Sequence, residues 1–353
     1  YLFVQDDSTR VYVMDSTAGF GISNIETGTE ESFMDLTTQN YFIGHLAGQQ
    51  NTTGIYNQFI GYNAGYSNTT GNYNSFIGYK SGYSNIGGSG YQGGLNAFIG
   101  YLSGFSNTSG AKNTFLGFNS GYSNDDGNLN VYIGSNAAQD NPDGDCNVII
   151  GSDAAMDMTG GSYNTFLGFN TGHMITSASY NTFLGSNAGE RNKDGEENTY
   201  VGTFSGYYNE FGDKNVMVGD QAGYFNSASN NTCVGYMSGR GNTSGSSNVF
   251  LGYQAGYNET GSWKLYIENT SADSDDALIY GDFLWNKLQV NDYLGVGVYP
   301  SYRLDLAGSA NLNNGTSGVA LLCDGEEAIC YNNRYFRWGY GGSYNYFAYK
   351  VGI

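Results

Sequence analysis

A glycine preceded by two residues that are nearly always apolar recurs along this chain at a spacing that leaves few folds open. It stands at Gly44, Gly61, Gly78, Gly100, Gly117, Gly134, Gly151, Gly168, Gly185, Gly202, Gly219, Gly235 and Gly252, 17 residues apart except for one interval of 22 and one of 16. Asparagine lies four residues before every copy, at Asn40, Asn57, Asn74 and Asn113 for example. Two before it is usually Phe, as at Phe59, Phe76 and Phe115, with Tyr132, Ile149, Tyr200, Met217 and Cys233 as variants. One before it is always Ile, Leu or Val, as at Ile60. Three after it is always small, and four after it is Gly again except at Ala138 and Ala155. The unit reads N-x-F-I-G-x-x-A-G-Y-x-N and then a polar turn.

Such a period is too short for a helix pair and suits one coil of a stacked β-structure, here expected as two short strands and two turns. Helix is disfavoured on composition as well, because Gly, Asn, Ser, Thr and Tyr are mediocre or poor helix formers. With 55 Gly and only 13% charged residues the chain is far from an ordinary domain, yet 16% aromatics argue against disorder. Stacking identical coils lays each residue over its copy at about 4.8 Å, so thirteen coils span roughly 60 Å. The asparagines are expected at strand entrances, bonded from coil to coil or closing Asx turns. The glycines are expected at corners that need positive φ or close backbone approach. The interval of 22 places a five-residue insertion within Ile86–Gly94, read as a protruding loop.

The fold class is therefore all-β: a parallel β-roll or β-solenoid of about 13 coils, followed by smaller β-rich modules. Residues 1–39 are read as an N-terminal cap or the end of an upstream domain, with a strand at Val11–Met14. Residues 40–261 form the roll, 262–310 a β-rich connector, and 311–353 a C-terminal β module that ends short of its full length. Side chains alternate along a strand, so the Phe and the Ile/Leu/Val of one coil point oppositely. One ladder is enclosed and the other must be covered, for which a symmetric homo-oligomer, favoured as a trimer, is the expected solution.

A net charge of −19 is wrong for a nucleic-acid binder, which needs a basic stripe against phosphate. No stretch approaches the length of a membrane span. The cysteines Cys146, Cys233, Cys323 and Cys330 make no C-x-x-C pair; Cys323 and Cys330 are either a short-loop disulfide or two thiols. The two histidines, His45 and His173, occupy positions that hold Tyr, Phe, Gln or Glu in other copies, and are read as ladder variants. Asp140, Asp143 and Asp145 crowd one turn and are the candidate Ca²⁺ ligands, although the distal Glu of a calcium loop is missing. No other cofactor is indicated. The acceptor-like tripeptides at Asn51, Asn68, Asn107 and Asn242 are read as turn chemistry.

Tyrosine carries the candidate partner site. Tyr62, Tyr79, Tyr101 and Tyr253 follow the repeat glycine directly, and Tyr66, Tyr83, Tyr122 and Tyr257 lie five after it. If either rank faces water, it forms an aromatic surface for a glycan or protein receptor.

The run N-x-F-I-G-x-x-A/S-G resembles the YadA-like head repeats of trimeric autotransporter adhesins over residues 40–261. That resemblance implies a left-handed parallel β-roll, three associated chains and attachment to a surface. The family's period is commonly shorter and places a small residue where Phe stands here, which implies a wider coil. Lys264–Asn269 (KLYIEN), Leu278–Phe283 (LIYGDF) and Leu294–Leu306 (LGVGVYPSYRLDL) are similar to stretches of phage tail-fibre and bacterial surface-fibre proteins that carry a C-terminal intramolecular chaperone. Val351–Ile353 looks like the start of another such stretch, so the natural chain is expected to continue or to have been processed there. The resulting expectation is a non-catalytic extracellular or cell-surface fibre that adheres to a cell, glycan or other surface. A phage or injection-machine tail fibre is the second reading, and a polysaccharide-degrading spike the third.

Overall fold

A computed structural model describes residues 31–291, together with strand segments at Phe20–Asn24, Leu294–Val296, Leu304–Leu306, Val319–Cys323, Glu326–Asn332, Tyr335–Trp338 and Asn345–Phe347. Strands β1 (Phe20–Asn24) and β2 (Glu31–Leu36) form an antiparallel hairpin. Thirteen three-residue strands follow, from β3 (Tyr41–Ile43) to β15 (Val249–Leu251), each paired in parallel with the next. Register is uniform: Phe59 lies between Phe42 and Phe76, and Phe98 beside Phe115. The described residues contain no helix, and the chain is a β-solenoid with one coil per repeat.

Each coil has one strand, not two. Its other limb, for instance residues 62–67, is a run of turns. The physical reason lies in the backbone: Asn63 and Gly65 adopt left-handed φ values of 54° and 57°, which no strand accommodates. This limb still bonds from coil to coil, Gly65 N–H to Ser81 O at 2.9 Å and Ser67 N–H to Tyr83 O at 3.0 Å.

The middle residue of each strand points inward. Phe59, Phe76, Phe98, Phe115, Phe166, Phe183 and Phe250 are fully buried, and consecutive rings stack with centroids 4.7–4.9 Å apart from Phe42 to Phe115. Each such side chain contributes roughly 1.5–3 kcal/mol by leaving water. Where the column holds Ile149, the coil also exchanges a buried asparagine for Met158, and the next coil has Ile175 there. The two alanines that replace the second glycine, Ala138 and Ala155, fall in the coils of Tyr132 and Ile149. In the other coils a β-carbon at that glycine would press on the inward side chains, as at 2.6 Å from Phe59 at Gly65.

Two asparagine columns run through the interior beside the rings. In the first, the Oδ1 of one residue accepts the backbone N–H of the next: Asn40 from Asn57, Asn57 from Asn74, and on to Asn248, which accepts from Lys264. The amide nitrogen donates to a turn carbonyl, Asn57 Nδ2 to Gly71 O at 2.9 Å. In the second column Asn68, Asn85, Asn107 and Asn124 each donate to the Oδ1 of the copy before. Where tyrosine enters the ring column, its hydroxyl reaches this second column: Asn141 donates to Tyr132 Oη at 3.0 Å, and Asn209 to Tyr200 Oη. A buried polar group left without a partner costs about 1–3 kcal/mol, so the repetition of Asn is a repetition of satisfied bonds.

Both ends of this stack are closed by antiparallel strands. β2 pairs with β3, and Gly44 N–H donates to Phe33 O. At the other end β16 (Lys264–Ile267) continues the parallel stack, then β17 (Ile279–Asp282) and β18 (Lys287–Val290) turn antiparallel. Lys264 and Asp282 pair at 2.7 Å across this cap. The lysine is held above its ordinary pKa chiefly by that bond, and the same bond holds the aspartate below its own. The chain divides into compact units at Asn291/Asp292, inside the segment read as a connector at 262–310. The second unit pairs β19 (Leu294–Val296) with β20 (Leu304–Leu306), and contains a four-stranded antiparallel sheet, β21 (Val319–Cys323) to β24 (Asn345–Phe347). The expected strand at Val11–Met14 and the side chains of Cys323 and Cys330 lie outside the described residues.

Candidate functional surface

What the coil cannot enclose, it presents. The residue after each inward ring points out of the sheet: Ile43, Ile99, Leu116, Leu167, Leu184 and Val234 are 37–44% exposed. They lie in strict register, so one flank of the solenoid is an aliphatic strip with a rung every 4.8 Å or so. The second apolar face expected from the alternation is present.

The two tyrosine ranks read from the sequence are brought together as columns, but not equally. The rank directly after the corner glycine is open: Tyr62, Tyr79, Tyr101, Phe118, Phe169, Tyr236 and Tyr253 are 40–52% exposed. Tyr62, Tyr79, Tyr101 and Phe118 stack consecutively, with centroids 5.1–5.4 Å apart and planes within 9° of parallel. The rank five residues after the glycine, Tyr66, Tyr83, Phe105 and Tyr122, also stacks but is half-buried. Tyr257 of that rank accepts a bond from Arg240 Nη1 at 3.2 Å, and Arg240 also lies over the Tyr224 and Phe225 rings. This rank is braced by its neighbours, whereas the first is free to meet a partner.

A third aromatic rank escaped the sequence reading. Tyr56, Tyr73, Tyr163 and Tyr180, five residues before the glycine, and Trp263, the same distance before Glu268 where the glycine is replaced, are 48–59% exposed, and Tyr56–Tyr73 and Tyr163–Tyr180 stack at 5.3 and 5.2 Å. Its signal was there in the period, but Leu95, Lys112, Leu129, Cys146, Glu197 and Lys214 interrupt it. All of these residues sit at φ between 56° and 66°, a conformation their side chains do nothing to announce.

The histidines vary ladder positions. His45 stacks on Tyr62 at 5.3 Å, and His173 Nδ1 lies 3.0 Å from Asp153 O. Cys233 occupies the ring column, and burial pushes its thiol up to about 12, which removes it as a nucleophile at neutral pH. Asn68, Asn107 and Asn242 are wholly buried in the second asparagine column, so these tripeptides serve the fold.

Asp140, Asp143 and Asp145 do not converge, and among the described residues no three His, Cys, Asp or Glu side chains are arranged to hold a metal ion. Asp145 Oδ1 instead accepts from Asn128 N–H at 2.7 Å, and Asp140 accepts from Gln139. Asp143 faces Asp126, whose pKa is raised by desolvation first and then by the charges of Asp143 and Asp125. A raised folded-state value means that ionised Asp126 destabilises the fold above that pKa, and that the penalty fades as pH falls from the folded-state value to the unfolded-state value and is gone below it. Asp126→Asn is therefore expected to raise the thermal midpoint at pH 7 and leave it unchanged near pH 3. Equal shifts at both pH values in a melting series would contradict this.

No helix among the described residues is long and apolar enough to cross a membrane. No known protein family, curated protein or solved structure matches the chain.

Proposed function

We propose that this protein is a non-catalytic extracellular fibre, whose solenoid is a rigid rod that attaches to a cell, glycan or protein surface. The observation that carries this reading is a pair of outward ranks in register, an aliphatic one with a half-exposed to exposed residue in each of thirteen coils and an aromatic one filled by Tyr or Phe in seven of them. A compact enzyme has no use for an identical surface repeated along its length, whereas an adhesive rod gains avidity from each copy.

The two ranks have different tasks in this account. Copies of the chain associate through the aliphatic strip, because only another solenoid of equal rise can match its rungs over the whole length. A symmetric homotrimer, as the resemblance to YadA-like heads implies, covers the strip and leaves the tyrosine rank beyond the corner glycine on the outside. The −19 charge keeps such a rod soluble and suits an uncharged or basic target better than an acidic one. The tail-fibre reading differs only in what carries the rod, and it is favoured by the KLYIEN and LIYGDF stretches, which form the cap strands β16 and β17.

Microspheres coated with the full chain are expected to adhere to cell or glycan-coated surfaces far above albumin-coated controls. Adhesion at the albumin level on every surface would overturn the reading.

A further inference from the structure

Stacking has a consequence for what an aromatic rank can bind. In the run Tyr62, Tyr79, Tyr101 both faces of each inner ring are covered by neighbours, so only edges and hydroxyls meet solvent. A flat ligand needs an uncovered face. The rank offers one where it breaks.

It breaks twice, in the middle of the rod after Phe118 and again between Phe169 and Tyr236. The second gap, at Ser186, Thr203 and Asp220, is one coil wider, about 19 Å from ring to ring and too long for two sugar residues to meet both ends. The first break is the one that fits. Phe118 lies parallel to Tyr101, within 6°, so its other face looks along the axis to the next coil. The next two coils carry Ser135 and Ser152 at this position, and Phe169 follows. Among the described residues no ring stacks on Phe169, and Phe118 stacks only on Tyr101. Phe118 and Phe169 are 50% and 52% exposed, against 40% for Tyr79 inside the run. Three coil intervals put the two phenylalanines about 14 Å apart, with two rungs of ring-sized space between them. Ser135 is exposed and Ser152 half-exposed, so the floor of this notch is open.

Polar groups line the notch's flank. Asn136 Nδ2 donates to Asp153 Oδ1 at 2.8 Å, and Ser152 Oγ donates to Asp153 Oδ2 at 3.1 Å. Phenylalanine faces at both ends, with hydroxyl, amide and carboxylate beside them, are the chemistry that recognises a sugar. The C–H face of a pyranose packs on the ring, and its hydroxyls pair with fixed polar groups. Asp153 and the acidic chain disfavour a uronic or sialic acid.

We propose that the notch between Phe118 and Phe169 is a binding site for two adjacent residues of a neutral oligosaccharide, one against each phenylalanine. This narrows the adhesion reading to a ligand class and rests on it only for the source of the sugar, a cell or matrix surface. A rod that adheres to surfaces but binds no oligosaccharide would sink this inference and leave adhesion standing.

The test is isothermal titration of the full chain with soluble cello-, chito-, malto- and xylohexaose. At least one is expected to bind at one site per chain, and Phe118→Ala is expected to weaken it about tenfold, the scale of one lost ring contact. The double change Ser135→Tyr with Ser152→Tyr should abolish binding by completing the rank, and both positions hold Tyr in other coils, so the fold has room. Tyr91→Ser, which removes an exposed aromatic ring of the insertion loop outside the rank, should leave the affinity unchanged. Absence of binding by all four sugars would overturn the proposal. So would binding that survives the double tyrosine change, or a double change that alters the oligomeric mass, which would make the notch a chain-to-chain contact.

Discussion

Phe115→Asp is expected to cost the solenoid more than any other single change in its ring column. Phe115 is fully buried and stacks at 4.7 Å on both Phe98 and Tyr132. The substitution removes two ring contacts, opens a cavity and places a carboxylate where no cation stands to meet it. Loss of the aromatic ring alone costs about 3–5 kcal/mol, and the uncompensated charge adds to it. In a solenoid each coil is supported by its neighbours, so one failed rung divides the stack and the damage spreads outward from the break. A fall in the thermal midpoint of about 10–20 °C is expected by circular dichroism, with new proteolytic cleavage near residues 105–132. An insertion of a few polar residues at Gly90 is the control. A β-carbon there meets nothing within 4 Å, and the loop 88–92 is exposed, so the midpoint should hold. Equal effects from the two changes would show that core and loop are wrongly assigned.

The second large effect is expected at the corner. At Gly117 φ is +144°, a region open only to glycine, and an added β-carbon would lie 2.2 Å from the carbonyl oxygen of Gly134. That atom belongs to the backbone of the next coil and cannot step aside without moving the whole rung. Gly117→Ala should therefore destabilise by on the order of 3 kcal/mol or more, in the class of backbone strain combined with overpacking. Gly160→Ala is the matched comparison: nothing lies within 4 Å of the added carbon, and φ there is not in the left-handed range. Replacing a compatible glycine gains about 0.4–1 kcal/mol through the unfolded chain. The difference between these two alanines, read from denaturant midpoints, isolates the corner from glycine content in general.

These positions also show how far the sequence carries. The corner glycine and the entrance asparagine recur without exception, and the inward and outward strand positions recur as apolar slots of narrow range, because each slot constrains what it admits. A β-carbon clashes at Gly61, a flat ring at Phe59 stacks on its copies above and below, and an amide both accepts and donates as Asn57 does. The second limb of the coil was misread as a strand because its shape is set by two left-handed residues per coil. Leu46, Lys80, Phe204 and Gln221 all occupy the first of these slots, and no shared chemistry marks them. Rung-to-rung bonding imposes that conformation on whatever residue arrives. The aromatic surface was legible as a list of tyrosines, but its grading was not. Which rank is braced and which is open depends on Arg240 and on the turns of neighbouring coils. The notch was invisible for a related reason: it consists of rungs that are missing, and an interruption acquires meaning only once the rings on either side are seen to stack.

We propose that like chains meet along the aliphatic strip and display the aromatic rank outward. Sedimentation equilibrium of the intact chain under native conditions tests it most directly. The account predicts a particle three times the chain mass of 38.0 kDa, reduced to single chains when Leu116 and Leu167 are changed to aspartate. A lone 38.0 kDa species in the unaltered protein would contradict it.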